Sequence, residues 1–305
     1  MRFPAAPLEG RLVRRYQRFF AEVELARGER LIAHCPNTGS LLGCLAPGSR
    51  VWLRDSGNTA RKLRFTWQAV RIGRAWVNVD TALPNRVVAE AVSAGRVPEL
   101  AGYAGLRREV PYGRASRIDL LLEDASRGTC HVEIKSTTLS ENGAALFPDA
   151  VTSRGTKHLA ELTRLARAGK RAMQFFFVSR GDVEVFRPAD AIDPEYGRAL
   201  RRAARAGVEV LAYTARVEAR RLELLRPLAV ELTPVSAATR RVRDGGPDSP
   251  PRAASPCGGG PARSASISHG NLCPGAPPGS NLFPARRTLT RPSLLRTHLC
   301  RTVGR

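Results

Sequence analysis

Cysteines, long apolar runs and acidic residues are all scarce in this 305-residue sequence. Six cysteines scattered along a chain of this length are too few for a disulfide scaffold. No run of about 18 apolar residues occurs, which excludes a helix that spans a membrane. Residues 1–9 hold no uninterrupted apolar stretch, so no signal peptide is predicted. We therefore expect a soluble protein of the cytoplasm.

The shortage of acids leaves a large positive charge. The chain has 27 Asp and Glu against 49 Lys and Arg, which gives a formal net charge of +22. Such an excess predicts an anionic partner, but it carries no information about the fold. The apolar content of 43% is enough to build a core, and the length allows one large domain or two ordinary ones.

Residues 234–305 differ in composition from the rest of the chain. They hold 11 Pro, 9 Gly and 11 Arg among 72 residues, with no Lys and two acids. A segment of this kind, without an amphipathic pattern, cannot bury enough apolar surface to offset its ordering entropy. We predict a disordered basic tail that carries +9 of the net charge and leaves +13 for residues 1–233. The tail either adds nonspecific affinity for nucleic acid or has no selected function.

Residues 1–82 favour an all-β domain. Short runs rich in β-branched and aromatic residues alternate with turns that contain glycine, proline and asparagine. Regularly spaced short strands of this kind are typical of a small barrel. The five predicted strands cover residues 18–25, 31–35, 50–54, 66–71 and 75–79.

Residues 83–233 favour a mixed α/β domain. Helices are predicted over 84–95, 153–168 and 193–206, the last with Asp193 as its N-cap. Strands are predicted over 118–122, 131–135, 173–179 and 208–213, and the run at 173–179 is apolar enough to be buried on both faces. Glu109 is interpreted as a solvent-facing helix residue, with a further ligand for a nearby metal site as the alternative. This order of elements predicts an α/β sandwich around a mixed sheet.

Three polar residues on the first two strands of this domain form a candidate site. Side chains alternate along a strand, so Glu133 and Lys135 lie on one face. A hairpin between the two strands would bring Asp119 beside Glu133. Two carboxylates with a lysine next to them suit a hard divalent cation, most plausibly Mg²⁺, that acts on a phosphate. A surface strand with a salt-bridged face is the alternative, and the spacing alone leaves it open.

Several basic residues are candidates for contacts with nucleic acid. Arg198, Arg201, Arg202 and Arg205 follow helical spacing and would form a basic stripe, unless they simply make a solvated face. On the barrel, Arg15, Arg18, Arg61 and Lys62 occur near aromatic residues, as on surfaces that bind single strands. No zinc-type cysteine spacing, phosphate-binding glycine loop or Ser-His-Asp arrangement is found.

Several short motifs follow one another along the chain. They are H-C-P-N-T-G (34–39), P-G-S-R-V-W-L (47–53), R-K-L (61–63), L-P-N-R (83–86), S-R-I-D (116–119), E-I-K-S (133–136), F-P-D-A-V-T-S-R-G-T-K-H-L (147–159) and G-V-E-V-L-A-Y (207–213). In this order they resemble the sugar fermentation stimulation protein A family. The resemblance covers residues 1–233, and the tail matches nothing in the family pattern. Departures occur at Thr59-Ala60, where a proline is expected, and at Asp80, where an asparagine is usual.

This resemblance implies an OB-like barrel over residues 1–82 and a PD-(D/E)xK nuclease-like domain over 83–233. Asp119, Glu133 and Lys135 then match the acid, acid and lysine that hold the metal in such nucleases. Arg154 and His158 share one helix face and match a polar pair that supports the site, and Lys157 lies beside them. Plain phosphate contacts are the alternative role for these three residues.

The resemblance further implies a DNA-binding protein without sequence specificity and with a regulatory role in sugar (maltose) metabolism. The alternative is a Mg²⁺-dependent nuclease that uses Asp119, Glu133 and Lys135. DNA, including single strands, is the expected partner, and a basic surface that docks on RNA or an acidic protein is also open. No membrane partner is expected.

Overall fold

The computed structural model describes residues 1–112 and 116–234. The disordered tail predicted for residues 234–305 lies outside these ranges, apart from Pro234. Within the described part of the chain, no helix is both long and apolar enough to cross a membrane.

The first domain is a closed barrel with one appended strand. Its strands are β1 (Leu8–Tyr16), β2 (Phe20–Glu24), β3 (Arg30–His34), β4 (Arg50–Asp55), β5 (Phe65–Ile72) and β6 (Ala75–Asn78). The sheet has the order β3-β2-β1-β4-β5-β6, and a parallel pairing of His34 on β3 with Thr66 on β5 closes the first five strands into a ring. Closure removes the exposed edges of these five strands. The predicted OB-like barrel is therefore confirmed.

Within the barrel sheet, strand β1 is the element that the sequence did not predict. It carries three arginines and a glycine, and Leu12 is its one fully buried residue, so its alternation of apolar and polar residues is weak. Gly10 is required there, because a Cβ would lie 2.4 Å from Cγ1 of Val23. The strand predicted from residue 18 begins at Phe20 instead, since Gln17 and Arg18 form a turn with positive φ.

The second domain alternates strands and helices. The helices are α1 (Pro84–Ser93), α2 (Ser153–Arg167) and α3 (Pro194–Arg205), which agree with the three predicted helices. The main strands are β7 (Gly105–Tyr112), β8 (Ser116–Asp124), β9 (Gly128–Thr137), β12 (Arg171–Val178), β14 (Glu209–Glu218) and β15 (Arg221–Pro227). The short strands are β10 (Ser140–Glu141), β11 (Ala144–Phe147), β13 (Val185–Pro188) and β16 (Ala229–Val230).

The central sheet of this domain is mixed and covered on both faces. Its order is β15-β14-β12-β9-β8-β7, in which β12 runs parallel to β9 and β14 while the other pairs are antiparallel. On β12, Phe175 and Phe177 pack with the apolar face of α1, whereas Phe176 packs with α2 and α3. The predicted α/β sandwich, with a central strand buried on both sides, is confirmed.

Local signals fix where the two longer helices begin and end. The Asp193 carboxylate accepts a 2.9 Å hydrogen bond from the backbone N–H of Tyr196, as the predicted N-cap requires. Thr152 caps α2 in the same way through Gly155. Gly169, with φ of 74°, ends α2 in the left-handed conformation that glycine adopts without strain.

Hydrogen bonds join the barrel to the second domain. The N–H of Asn78 donates to the carbonyl of Ser179 over 2.9 Å. At a second contact, the N–H of Leu41 donates to Oδ2 of Asp149 over 2.8 Å, and Oγ of Ser40 donates to the Asp149 carbonyl over 2.5 Å. The loop after β3 is therefore held against the loop before α2, close to the candidate site.

Candidate active site in a cleft between the two domains

The β8–β9 hairpin brings the two predicted acids together. Leu120 on β8 pairs with Val132 on β9. Because the two strands are antiparallel, the residues next to this pair, Asp119 and Glu133, are brought side by side. Oδ2 of Asp119 accepts a 2.7 Å hydrogen bond from the N–H of Ile134, which fixes this carboxylate beside Glu133. Val132 and Ile134 are buried in the apolar cluster, whereas Glu133 and Lys135 face the cleft. The predicted alternation along this strand is confirmed.

Glu133 is buried and carries two basic neighbours on one oxygen. Its Oε1 accepts a 2.6 Å hydrogen bond from Nζ of Lys135 and also contacts Nδ1 of His158. Its Oε2 is buried and has no hydrogen-bond partner among the residues that the structure describes. A buried carboxylate oxygen without a partner is costly, so this atom is available to a ligand that enters the cleft.

The two acids have opposite pKa shifts. Burial, followed by the nearby charge of Glu133, raises the pKa of Asp119 to about 6. Burial would also raise the pKa of Glu133, but the hydrogen bond from His158 and the charge of Lys135 outweigh it and leave that pKa below its ordinary value. Crowding of two carboxylates in a desolvated cleft is the usual preparation for binding a cation.

Helix α2 supplies His158 and Arg154 to the cleft. The two residues are one turn apart, and Nε of Arg154 donates to Nε2 of His158 over 3.4 Å. The other ring nitrogen of His158, Nδ1, contacts both Oε1 of Glu133 and, over 3.1 Å, Nζ of Lys135. The structure brings this predicted pair next to the acids. Lys157, the third predicted residue of this segment, is exposed on the same helix.

Asn85 is a site residue that the sequence reasoning missed. Its side-chain Nδ2 donates to Oδ1 of Asp119 over 2.7 Å and to Oε1 of Glu109 over 3.0 Å. The signal was present in the L-P-N-R segment, where proline begins α1 and the asparagine follows it. Glu109 was predicted on a helix, but it lies on β7, where its φ of 53° departs from strand geometry.

The acids lie at the floor of a cleft of about 330 Å³ lined by both domains. The barrel contributes Asn37, Gly39 and Thr81 to the lining, and the second domain contributes Asp149 and Arg154 among others. A side chain at Gly39 would crowd this approach, because a Cβ there would lie 3.0 Å from the Asn37 side-chain oxygen and 3.3 Å from the Asp149 carboxylate.

The basic residues predicted on the barrel have different surroundings. Arg15 turns its guanidinium inward and donates to the backbone carbonyls of Arg18, Asn37, Gly39 and Ser40. Arg18, Arg61 and Lys62 are exposed. Arg61 makes long contacts to Thr66 and His34, at 3.4 and 3.5 Å. Arg18, Arg61 and Lys62 therefore remain accessible to a polyanion.

Only part of the basic stripe predicted on α3 is accessible. Arg198, Arg202 and Arg205 are exposed. Arg201 instead forms a bidentate ion pair with Asp190, and its Nε donates to the carbonyl of Leu232. Its guanidinium thus holds α3 against neighbouring segments, and three arginines rather than four face solvent along this helix.

The cysteines of the described residues form no metal site. Cys35, Cys44 and Cys130 are free and buried. In the described part of the chain, no group of three or more His, Cys, Asp or Glu side chains is arranged to hold a metal ion. A cation at the cleft would therefore depend on the two carboxylates together with water or a substrate phosphate.

Comparisons with known proteins agree with this architecture. The family model for the SfsA N-terminal OB domain matches residues 13–79, and the model for the sugar fermentation stimulation protein RE domain matches residues 82–221. The chain is also similar to the structure of Pyrococcus furiosus SfsA in complex with Ca²⁺. That similarity has a TM-score of 0.69 at 30% identity and covers 76% of this chain and 98% of that one.

Curated relatives give the same result. The sugar fermentation stimulation protein homolog of Geobacter metallireducens is 54% identical over 233 residues, which cover 76% of this chain and all of the relative. The homolog of Thioalkalivibrio sulfidiphilus is 53% identical over 235 residues, which cover 76% of this chain and 99% of that relative. This chain belongs to the sugar fermentation stimulation protein family.

Proposed function

We propose that this protein binds DNA and hydrolyses its phosphodiester bonds with a divalent cation held by Asp119 and Glu133. The observation that carries the proposal is the buried acid pair at the cleft floor, with Lys135 hydrogen-bonded to one of the acids. A protein that only binds polyanions gains nothing from two carboxylates in its binding cleft, because they repel phosphate.

The residues of the cleft fit a hard cation. Oε2 of Glu133 is buried without a hydrogen-bond partner among the described residues, and the raised pKa of Asp119 reflects negative charge in a desolvated site. Mg²⁺ is typically bound by one or two carboxylates, with water and substrate phosphate completing the shell. The related Pyrococcus furiosus protein has been solved in complex with Ca²⁺, which also prefers oxygen ligands.

A bound cation would polarise the scissile phosphate and lower the pKa of an attacking water. Lys135 would hold its ammonium close to the charge that develops on the phosphate. Arg154 and His158 would hold Glu133 in place, since Nδ1 of His158 contacts Oε1 and Nε of Arg154 donates to Nε2 of that histidine. Asn85 would orient Asp119 through its 2.7 Å hydrogen bond.

The accessible basic residues would bind the phosphate backbone around the cleft. Arg198, Arg202 and Arg205 on α3, with Lys157 on α2, are exposed along the second domain. Lysine and arginine contacts to phosphate supply most nonspecific affinity for DNA and make it dependent on salt. The described surface therefore supports binding without sequence specificity.

A second candidate function is DNA binding without cleavage, in a regulatory role in sugar use. It is favoured by the names of the relatives, which are called sugar fermentation stimulation protein homologs. The ammonium of Lys135 beside Oε1 of Glu133 also suits it, because it partly neutralises the site without a cation. Both functions share the nucleic-acid partner and differ in the use of the acid pair.

A cleavage assay separates the two candidates. The full chain would be incubated with plasmid and oligonucleotide DNA in Mg²⁺, in Mn²⁺ and in chelator, alongside Glu133→Gln. We expect metal-dependent fragments from the wild type and none from the variant, while DNA binding in chelator is kept by both. Binding by the wild type without cleavage in either metal would favour the regulatory candidate.

A further inference from the structure

The tip of the first barrel hairpin lies beside a loop that lines the cleft. We call residues 17–19 the hairpin tip and residues 36–40, of which Asn37 and Gly39 line the cleft, the wall loop. The carbonyl of Phe19 accepts a 2.7 Å hydrogen bond from the N–H of Cys35, directly before the wall loop. The hairpin tip is therefore a neighbour of the loop that forms one wall of the cleft.

One guanidinium ties these two segments together. Arg15 donates over 3.0 Å to the carbonyl of Arg18 in the hairpin tip, and over 2.7 and 2.9 Å to the carbonyls of Asn37 and Gly39 in the wall loop. Five donors in a rigid plane suit such a role. The hairpin tip and the wall loop therefore keep one fixed arrangement, and whatever binds the tip is aligned with the cleft.

The hairpin tip exposes an aromatic side chain that does not belong to the barrel core. Phe19 is 48% exposed, although a phenylalanine in a folded domain is usually buried. Beside it, Tyr16 and Phe20 stack with ring centroids 5.3 Å apart, and Arg14 lies 5.1 Å from the Tyr16 ring. Arg18 is exposed next to Phe19. Aromatic faces among arginines are the surface on which unpaired bases stack.

The cleft is too confined for a duplex. Its volume of about 330 Å³ lies at the small end of the range for pockets that take one small molecule. The bonds from Ser40 and Leu41 to Asp149 join the barrel wall to the opposite domain, so the cleft cannot widen without breaking them. A space of this size suits one extended strand, with a phosphate over the acids, better than a duplex.

We infer that the substrate is single-stranded nucleic acid, with a base stacked on Phe19 and the next phosphates led along the wall loop to Asp119 and Glu133. The placement of the phosphates at the two acids rests on the proposed function. Binding of the strand at the hairpin tip is supported independently by the positive charge of Arg18 and the exposed ring of Phe19. Arg15 is then a positioning residue, because its donors are used by backbone carbonyls rather than by the strand.

The test measures binding in chelator and cleavage in Mg²⁺ with one labelled 15-nucleotide sequence. The probe is offered as single-stranded DNA, as single-stranded RNA and as duplex DNA to the full chain. Phe19→Ala is the test variant, Phe19→Trp is the conservative rescue, and Leu225→Ala is the control, since Leu225 is similarly exposed but lies on β15, away from the hairpin tip along the chain and in the other domain. Fluorescence anisotropy gives the affinities, and thermal melts verify folding.

We expect at least one of the single strands to bind about ten-fold or more tighter than the duplex. Phe19→Ala should weaken that binding about 5- to 100-fold, as expected for loss of one stacked base, while Phe19→Trp and Leu225→Ala match the wild type. Equal or tighter binding of the duplex, or a folded Phe19→Ala variant with unchanged affinity, would overturn the inference.

The same data keep the two proposals apart. Preferred binding of a single strand that depends on Phe19, without cleavage in Mg²⁺, supports the inferred surface and counts against the nuclease. Metal-dependent cleavage of the duplex at the rate of the single strand, with no effect of Phe19→Ala, supports the nuclease and overturns the inferred surface.

Discussion

Nδ2 of Asn85 donates a 2.7 Å hydrogen bond to Oδ1 of Asp119, so the first turn of α1 contacts the acid at the floor of the cleft. The same amide donates to Glu109. An uncharged donor at this place stabilises the ionised form of Asp119 and thereby lowers its pKa, against the larger effect of burial.

Replacement of Asn85 should move the pH dependence of the site. In Asn85→Ala the pKa of Asp119 should rise further above about 6, because a bond that lowers it is lost. The acid limb of a cleavage profile in Mg²⁺ should therefore shift to higher pH, with a smaller change at pH 8.5. Arg86→Ala is the control, since Arg86 pairs with Glu90 on the same helix and lies outside the cleft lining. An acid limb at the same pH in Asn85→Ala and in the wild type would refute the role of Asn85 in lowering the pKa of Asp119.

Asp119→Asn should stabilise the protein in chelator. A folded-state pKa of about 6 against an ordinary value of 3.8 means that ionised Asp119 opposes folding above pH 6 and has no such effect below pH 3.8. At about 1.4 kcal/mol per pKa unit, the free energy of unfolding should rise by up to about 3 kcal/mol at pH 8. The gain should shrink as the pH falls from 6 towards 4, which urea unfolding at several pH values would measure.

A divalent cation should make the wild type more stable than Asp119→Asn, which is the reverse of their order in chelator. Mg²⁺ or Ca²⁺ binds the folded wild type and raises its melting temperature by mass action, whereas Asp119→Asn has lost one of the two proposed ligands. Melting curves with and without cation give this comparison without any substrate. A cation-dependent shift of equal size in both proteins would contradict the assignment of Asp119 as a ligand.

The adjacent residues Arg201 and Arg202 on α3 should affect different properties, protein stability for Arg201 and DNA affinity for Arg202. Arg202→Ala should leave stability unchanged and lower the salt dependence of DNA affinity by about one unit of log–log slope, since an exposed phosphate contact is lost. Arg201→Ala should lower the free energy of unfolding by about 2 kcal/mol, because it leaves Asp190 and the Leu232 carbonyl without their donor. Salt titrations and urea unfolding of both variants measure the two effects. The reverse result would mean that the stripe was assigned to the wrong residues.

Local periodicity explains what the sequence could predict about the site. The two-residue repeat of a strand separates Glu133 and Lys135 from Ile134, and a hairpin of short span brings Asp119 into register, so the acid pair follows from neighbouring segments alone. The same reasoning predicted α2 and therefore the shared face of Arg154 and His158.

Long-range packing explains what the sequence could not predict. Arg201 and Arg202 have the same type and adjacent positions, and only the placement of Asp190 and Leu232 in space distinguishes their partners. Asn85 lies 34 residues before Asp119, so their contact depends on how α1 packs against the sheet. Strand β1 is held by Gly10 and Leu12 within a barrel whose closure is itself a tertiary property.

Loss of cleavage in Lys135→Ala is the most direct test of the central claim. Nζ of Lys135 donates to Glu133 over 2.6 Å and faces the cleft, whereas the control residue Lys170 is exposed outside the cleft lining. With labelled DNA in Mg²⁺ or Mn²⁺, we expect the wild type and Lys170→Ala to cleave the DNA. Lys135→Ala should cleave it at a rate about 100-fold or more lower. No cleavage by the folded, DNA-binding wild type, or cleavage by Lys135→Ala at the wild-type rate, would contradict it.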